Sequence, residues 1–305
     1  MIFRTRFAPS PTGPLHLGHA YSAMFAHDLA VSENGQFLLR IEDIDRSRSR
    51  SHWEQQIYDD LNWLGLRWPV PVMRQSERLA VYDKALDTLW EQGLLYPCTC
   101  NRRDIAVAAS APQEGAPLHG PDGIIYPGTC RRRWEQICSD RYSRPKDIPL
   151  RLDIAAAARQ AQGLFHPAVI PDAPNSSVAR FQELGQGPDG ETGIIQFTAE
   201  ELESTIGDVV LSRRNMGTSY HLSVVLDDAA QKITHVVRGQ DLFEATRIHV
   251  LLQALLGLPT PLYYHHQLVR DEAGKRLAKR DDARAIAKYR ADGVTTADVR
   301  SMVGL

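Results

Sequence analysis

Residues 4–19 read R-T-R-F-A-P-S-P-T-G-P-L-H-L-G-H, and the reading of this stretch decides the fold. The run from Arg4 to Ala8 reads as a strand, near residues 2–8. Prolines at 9, 11 and 14 stiffen the connection that follows, and a helix is expected from about His16. Ala20, Met24, Phe25, Leu29 and Val31 give that helix its expected buried side. Gly13 and Gly18 let backbone pass close to a flat ligand. His16 and His19 fall in the first helical turn, where unpaired amides and the positive end of the helix dipole favour phosphate. Far downstream, residues 275–280 read K-R-L-A-K-R and offer cations to the same phosphates.

Outward from this motif, the first 95 residues alternate strand and helix. A helix over 16–33 ends before Gly35, a strand follows at 36–41, and helices are expected at 51–65 and 77–92, the latter closed by Gly93. Such alternation indicates a parallel α/β sheet with ligands beyond the strand ends. Regularity fails between 96 and 205, and the Pro-, Gly- and Ser-rich segments 110–128 and 163–193 read as loop. Strands are then expected at 209–211, 222–226 and 233–237, a helix at 242–256 and a strand at 263–269. The fold class is therefore α/β: a Rossmann-type nucleotide-binding domain in two halves, 1–95 and 206–262, split by a smaller insertion, 96–205. Residues 263–305 carry the basic motif.

The chain has 305 residues, 43% hydrophobic and 24% charged, as an ordinary globular protein has. A net charge of −2 excludes a generally basic nucleic-acid binder, so RNA contact would fall to local patches such as Arg46, Arg48 and Arg50, or Arg131, Arg132 and Arg133. The opening Met-Ile-Phe-Arg has no secretory signal and no apolar stretch nears the ~20 residues a membrane span needs, which predicts a cytoplasmic enzyme with no membrane partner. Four cysteines in such a chain argue for metal or packing rather than disulfides. Cys98, Cys100 and Cys130 have metal-like spacing, but a tetrahedral zinc needs a fourth ligand.

The two motifs resemble the HIGH and KMSKS signatures of class I aminoacyl-tRNA synthetases. R-F-A-P-S-P-T-G-P-L-H-L-G-H, followed by L-L-R-I-E-D-I-D-R, resembles the glutamyl-tRNA synthetase branch, over roughly residues 4–100 and 205–285. The resemblance implies ATP with Mg2+ and L-glutamate as substrates. It implies Pro9, His16, Gly18, His19, Arg276 and Lys279 at ATP, with His16, His19 and Lys279 catalytic. It maps Arg6, Phe7, Ala8, Pro9 and Ser10 onto the glutamate site, with Arg6 as the fork for the side-chain carboxylate. Glu42 maps to the α-amino contact, and Tyr220 and Arg238 map to the far wall. Glutamine-specific relatives carry a different motif where R-I-E-D-I-D stands here. Against the KMSKS pattern, Ala278 removes a hydroxyl, and a lost bond to a charged group is worth roughly 1.5–3 kcal/mol.

The sequence runs about 25 residues past the basic motif, so no anticodon-binding region is expected. In this it resembles the truncated branch of the family, which glutamylates queuosine at the wobble position of tRNA(Asp). The C-x-C then Y-x-x-x-C pattern of that branch matches Cys98, Cys100, Tyr126 and Cys130 and implies one structural Zn2+, with His119 and Cys138 as alternative fourth ligands. The alternatives are charging of a tRNA 3′ end and a non-catalytic nucleotide- or RNA-binding paralogue. Protein partners and the role of residues 155–195 stay open.

Overall fold

Strand β1 (Arg4–Phe7) runs into the proline loop and then helix α1 (Leu17–Ser32), which returns the chain to β2 (Gln36–Ile41), parallel to β1 with Phe7 opposite Leu39. Gly35 makes the turn possible, since a Cβ there would lie 2.3 Å from the Phe3 carbonyl oxygen. Helix α2 (Ser51–Trp63) leads to β3 (Met73–Arg74), parallel to β2, and helix α3 (Leu79–Glu91) follows. The computed structural model describes residues 2–109, 119–137, 143–161, 166–167, 177–269 and 284–305. Val31 is exposed, at the far end of the face that Ala20 and Met24 bury.

Next come β4 (Leu95–Pro97), α4 (Arg102–Ala109), the hairpin β5 (His119–Gly120) and β6 (Gly123–Ile124), α5 (Thr129–Ile137), β7 (Leu150–Leu152) and α6 (Ile154–Ala161). The short β8 (His166–Pro167) precedes β9 (Ser177–Glu183), β10 (Gly193–Phe197), α7 (Ala199–Thr205) and β11 (Val210–Ser212). β7 lies between β4 and β11 in an antiparallel sheet. Segment 163–193, read as loop, contains β9, whose residues alternate outside the Gly-rich ends and pair antiparallel with β10.

Residues 222–226, expected as a strand, instead belong to helix α8 (Tyr220–Ala230). Ser219 caps it by accepting from the Leu222 backbone N–H, and His221 through Val225 are all buried. Burial on every side erases the helical period, and the paired valines then look like strand. β12 (His235–Gly239), α9 (Ala245–Leu255) and β13 (Leu262–His266) complete a parallel unit in which Arg238 faces His265 across the ladder. β13 also pairs with β9 through Tyr263 and Glu183. β1 and β12 meet where the Thr234 backbone N–H donates to the Arg4 carbonyl at 3.1 Å. Helices α10 (Ile286–Ala291) and α11 (Thr296–Val303) pack Ile286, Val299 and Val303 onto the core beneath α1. Among the described residues no helix is long and apolar enough to cross a membrane.

Between two apolar cores lies a buried set of charges. Arg40, fully buried on β2, donates to Asp228 at 2.6 Å, Gln231 at 2.9 Å and Glu42 at 3.2 Å. Arg6 on β1 grips the same Asp228 with two bonds, at 3.0 and 3.2 Å. The neighbouring Asp227 accepts from Arg78 at 2.6 Å, Gln75 at 2.9 Å and the Tyr82 hydroxyl at 2.8 Å. Three arginines thus face three carboxylates, and the bonds tie β1 and β2 to α3 and α8. Burial alone would raise the Asp228 pKa, but Arg6 and Arg40 outweigh it and hold the carboxyl below its ordinary range.

Asp228→Ala should therefore cost roughly 3–5 kcal/mol in urea unfolding, because it strands two buried guanidinium groups. The wild type should also lose stability as pH falls below about 4, since a depressed carboxylate stabilises fully only above its unfolded value. That acid slope should shrink in the variant.

Candidate functional site

The proline loop is anchored at both ends. The Glu42 backbone N–H donates to the Pro9 carbonyl at 3.0 Å, and that of Arg50 to the Pro11 carbonyl at 3.0 Å. His16 is extended, at φ −127° and ψ 177°, and caps α1. Its backbone N–H donates to Nδ1 of His19 at 3.2 Å, and the two rings lie 3.8 Å apart. Because Nδ1 of His19 accepts, a neutral His19 carries its proton on Nε2.

These residues border a cavity of about 530 Å³ at the ends of β1, β2 and β12. On one side stand His16, Gly18 and His19; on the other Arg6, Phe7, Ala8, Ser10, Glu42, Tyr220 and Arg238. The structure thus brings together all the described residues expected at ATP and glutamate except Pro9, which is buried and does not line the cavity, its carbonyl accepting from the Glu42 backbone. Arg276 and Lys279 lie outside the described residues. The residues flanking that stretch do reach the site: Leu268 and Val269 line the cavity, and Ala285 forms a β-bridge with His16.

The electrostatics of the wall differ from the expectation in one respect. Arg6, expected to turn its fork toward a ligand carboxylate, spends it on Asp228, with a third N–H 3.4 Å from the Val237 carbonyl. Two of its five N–H groups remain among the described residues. Arg238 donates to His265 at 3.0 Å, His249 at 3.1 Å, Thr246 at 2.7 Å and the Leu242 carbonyl at 3.2 Å, which leaves one N–H among the described residues. Burial pushes the Glu42 carboxyl up against the pull of Arg40 and Arg6, and it raises the Tyr220 phenol.

Sequence reasoning missed Ser22, Asp241 and His266, which line the same cavity. His266 gives its Nδ1 proton to the Gln267 carbonyl at 2.9 Å and holds Ser22 at 2.8 Å through Nε2. Only the chain's return past α1 brings it there. Gly239, in V-V-R-G-Q-D, carried a signal: a Cβ would lie 2.5 Å from the Asp241 carboxylate.

A second cluster forms where β4, the segment before α5 and β7 converge. The sulfurs of Cys98, Cys100 and Cys130 all lie within 4.8 Å of one another. The Tyr126 hydroxyl is 3.5 Å from Cys98 and 3.4 Å from Cys100, and it accepts the Cys130 backbone N–H at 2.8 Å. Arg151 donates to Cys98 at 3.3 Å and stacks 3.9 Å from the Tyr126 ring centre. Burial pushes the Cys100 thiol up to about 11. It opposes ionisation of Cys130 too, but hydrogen bonds with Tyr126, the Thr99 backbone and Cys100 outweigh it and hold that thiol near 6. His119 is exposed on β5 and outside the cluster, and Cys138 lies outside the described residues. Of the expected RNA-facing arginines, Arg131 is committed to Asp153 at 3.2 Å and Asp208 at 3.1 Å, so it is structural.

The family described as "tRNA synthetases class I (E and Q), catalytic domain" matches residues 2–161 and 178–305. The chain is 56% identical over 309 aligned residues, 99% of either chain, to a protein of Rhodobacter capsulatus named glutamyl-Q tRNA(Asp) synthetase. It is 33% identical to a glutamate–tRNA ligase of Synechococcus, of which it spans 58%. Its fold is similar to the crystal structure of a glutamate tRNA ligase from Elizabethkingia meningosepticum, at a TM-score of 0.64 and 24% identity, and it covers 52% of that chain.

Proposed function

Because the chain belongs to the class I tRNA synthetases of the E and Q type, we propose that it activates L-glutamate with ATP and transfers it to queuosine in tRNA(Asp). One observation carries the reading: in a chain 56% identical to a glutamyl-Q tRNA(Asp) synthetase along its length, one cavity joins a histidine pair at a helix start to a wall of Glu42, Tyr220 and Arg238. Identity to glutamate–tRNA ligases is lower, at 33–34%, which favours queuosine over a tRNA 3′ end as acceptor. A cytoplasmic setting belongs with this reading.

In the first step a glutamate α-carboxylate oxygen attacks the α-phosphorus of ATP in line, and pyrophosphate leaves with the bonding electrons. The protein's part is positioning and charge stabilisation. We assign the Nε2 proton of His19, with His16 and the α1 amides, to the phosphate oxygens. Gly18 leaves room for the nucleotide, and Pro9 holds the loop. Mg2+, when bound with ATP, neutralises phosphate charge. Arg276 and Lys279 are assigned to the departing pyrophosphate, a role supported by the flanking residues at the cavity. Glu42 accepts from the substrate α-ammonium. The remaining N–H groups of Arg6 and Arg238, with Tyr220, take the side-chain carboxylate. In the second step a hydroxyl of the queuosine cyclopentene ring attacks the adenylate carbonyl carbon, and AMP leaves.

The cysteine cluster fits one structural zinc. Ligand atoms around a tetrahedral zinc with ~2.3 Å bonds lie about 3.8 Å apart, a spacing that three sulfurs within 4.8 Å accommodate. Cys98, Cys100, Cys130 and Tyr126 would hold it, and when bound it cross-links β4 and α5 without entering the chemistry.

The deciding experiment is glutamate-dependent ATP–pyrophosphate exchange without tRNA, followed by transfer of labelled glutamate. Exchange with glutamate alone among the amino acids, and transfer to tRNA(Asp) only when it carries queuosine, are expected. Transfer to unmodified tRNA(Glu) would refute the acceptor. His19→Ala should slow exchange about 10²–10³-fold and leave glutamate binding by calorimetry within about twofold. A loss below about fivefold counts against its role. Fresh protein should contain about one equivalent of zinc, and Cys130→Ser should lower both zinc content and Tm with little change in exchange. Less than half an equivalent in the wild type would defeat the zinc assignment.

A further inference from the structure

Arg238 belongs to a chain of buried polar groups that leaves the cavity altogether. Beyond His265, Nδ1 of that ring meets Glu183 at 2.5 Å. Beyond His249, its Nε2 meets Nδ1 of His221 at 3.1 Å, and Nε2 of His221 meets both oxygens of Asp122 at 3.0 Å. His221, His249, His265 and Glu183 are all buried, whereas the Asp122 side chain is 51% exposed. Asp122 sits at the turn of the β5–β6 hairpin and lines a second cavity of about 580 Å³, with Cys98, Cys100 and Tyr126.

Only one arrangement of protons satisfies every link. A guanidinium can only donate, so Nε2 of His265 and Nδ1 of His249 must both accept. Each ring is then neutral with its proton on the other nitrogen, in keeping with burial that holds His265 near 4 and His249 well below its ordinary value. His265 therefore gives its Nδ1 proton to Glu183. His249 gives its Nε2 proton to His221, whose Nδ1 must accept. That leaves the His221 proton on Nε2, where the Asp122 carboxylate receives it. Asp122 thus fixes the tautomer of a ring two links away from the arginine. Without it, His221 is free to carry its proton on Nδ1, which forces His249 to carry one on the nitrogen that faces Arg238. Donor would then meet donor, and the guanidinium would have to turn.

We propose that Asp122, His221 and His249 are positioning residues for Arg238, so that the β5–β6 hairpin sets glutamate affinity from outside the glutamate cavity. The proposal rests on the assignment of Arg238 to the glutamate site.

The test uses the full chain and compares Asp122→Ala with Asp122→Asn, because the asparagine oxygen still accepts from His221. Pyrophosphate exchange should show glutamate KM raised about tenfold in Asp122→Ala, with ATP KM and kcat within about twofold. Asp122→Asn should stay within about twofold of the wild type in all three. The 15N shifts of the His249 ring should show Nε2 protonated in the wild type and in Asp122→Asn, and a second tautomer in Asp122→Ala. An unchanged glutamate KM in Asp122→Ala, or equal loss in both variants, would overturn the proposal. Absence of glutamate-dependent exchange in the wild type would count against the proposed function instead. The positioning chain would then stand or fall on the His249 shifts alone.

Discussion

A fully buried arginine on β2 organises this molecule. Arg40 cannot be left without partners in an apolar interior, so Asp228, Glu42 and Gln231 must come to it, and with them α8 and the end of β2. Asp228 in turn holds Arg6 on β1. Because Glu42 and Arg6 are also cavity residues, the charge balance that joins the strands to the helix also presents a carboxylate and a guanidinium edge to a ligand. Structure and site share one constraint.

This sharing has a consequence for ligand recognition. The two arginines on the cavity wall have most of their N–H groups bound before any ligand arrives, Arg6 on Asp228 and Arg238 on two histidines, a threonine and a carbonyl. A rigid donor with one or two groups to spare selects by direction, because little of its orientation is left to be set on binding. The histidine side is built on the anchored proline loop and the first turn of α1, where the chemistry needs donors aimed at phosphate. The cavity also opens at the strand ends, where parallel sheets leave room between their connections.

Much of this was legible in the sequence. The proline loop and paired histidines located α1 and the cavity rim, since turn chemistry and helix starts are local signals. R-I-E-D located Glu42, and the cysteine spacing with Tyr126 located the second cluster. What escaped was decided at long range. Leu222–Leu226 looked like strand because α8 is buried all round, and β9 hid in a Gly- and Pro-rich segment, where it pairs with β10 and, through Glu183, with Tyr263 eighty positions on. Arg6 was readable as a carboxylate partner, yet its companion Asp228 lies 222 residues on. Nothing in the sequence joins His265, His249 and His221, which lie on β13, α9 and α8, and only assembly makes them a chain.

The central claim is that one cavity holds glutamate and ATP side by side, on the Glu42 and histidine walls respectively. A crystal structure with a non-hydrolysable glutamyl-adenylate analogue tests it most directly. The account predicts the analogue's α-ammonium within hydrogen-bonding distance of Glu42 and its phosphate mimic beside His16 and His19. An analogue seated elsewhere, or one whose amino acid lies away from Glu42 and Arg238, would contradict it.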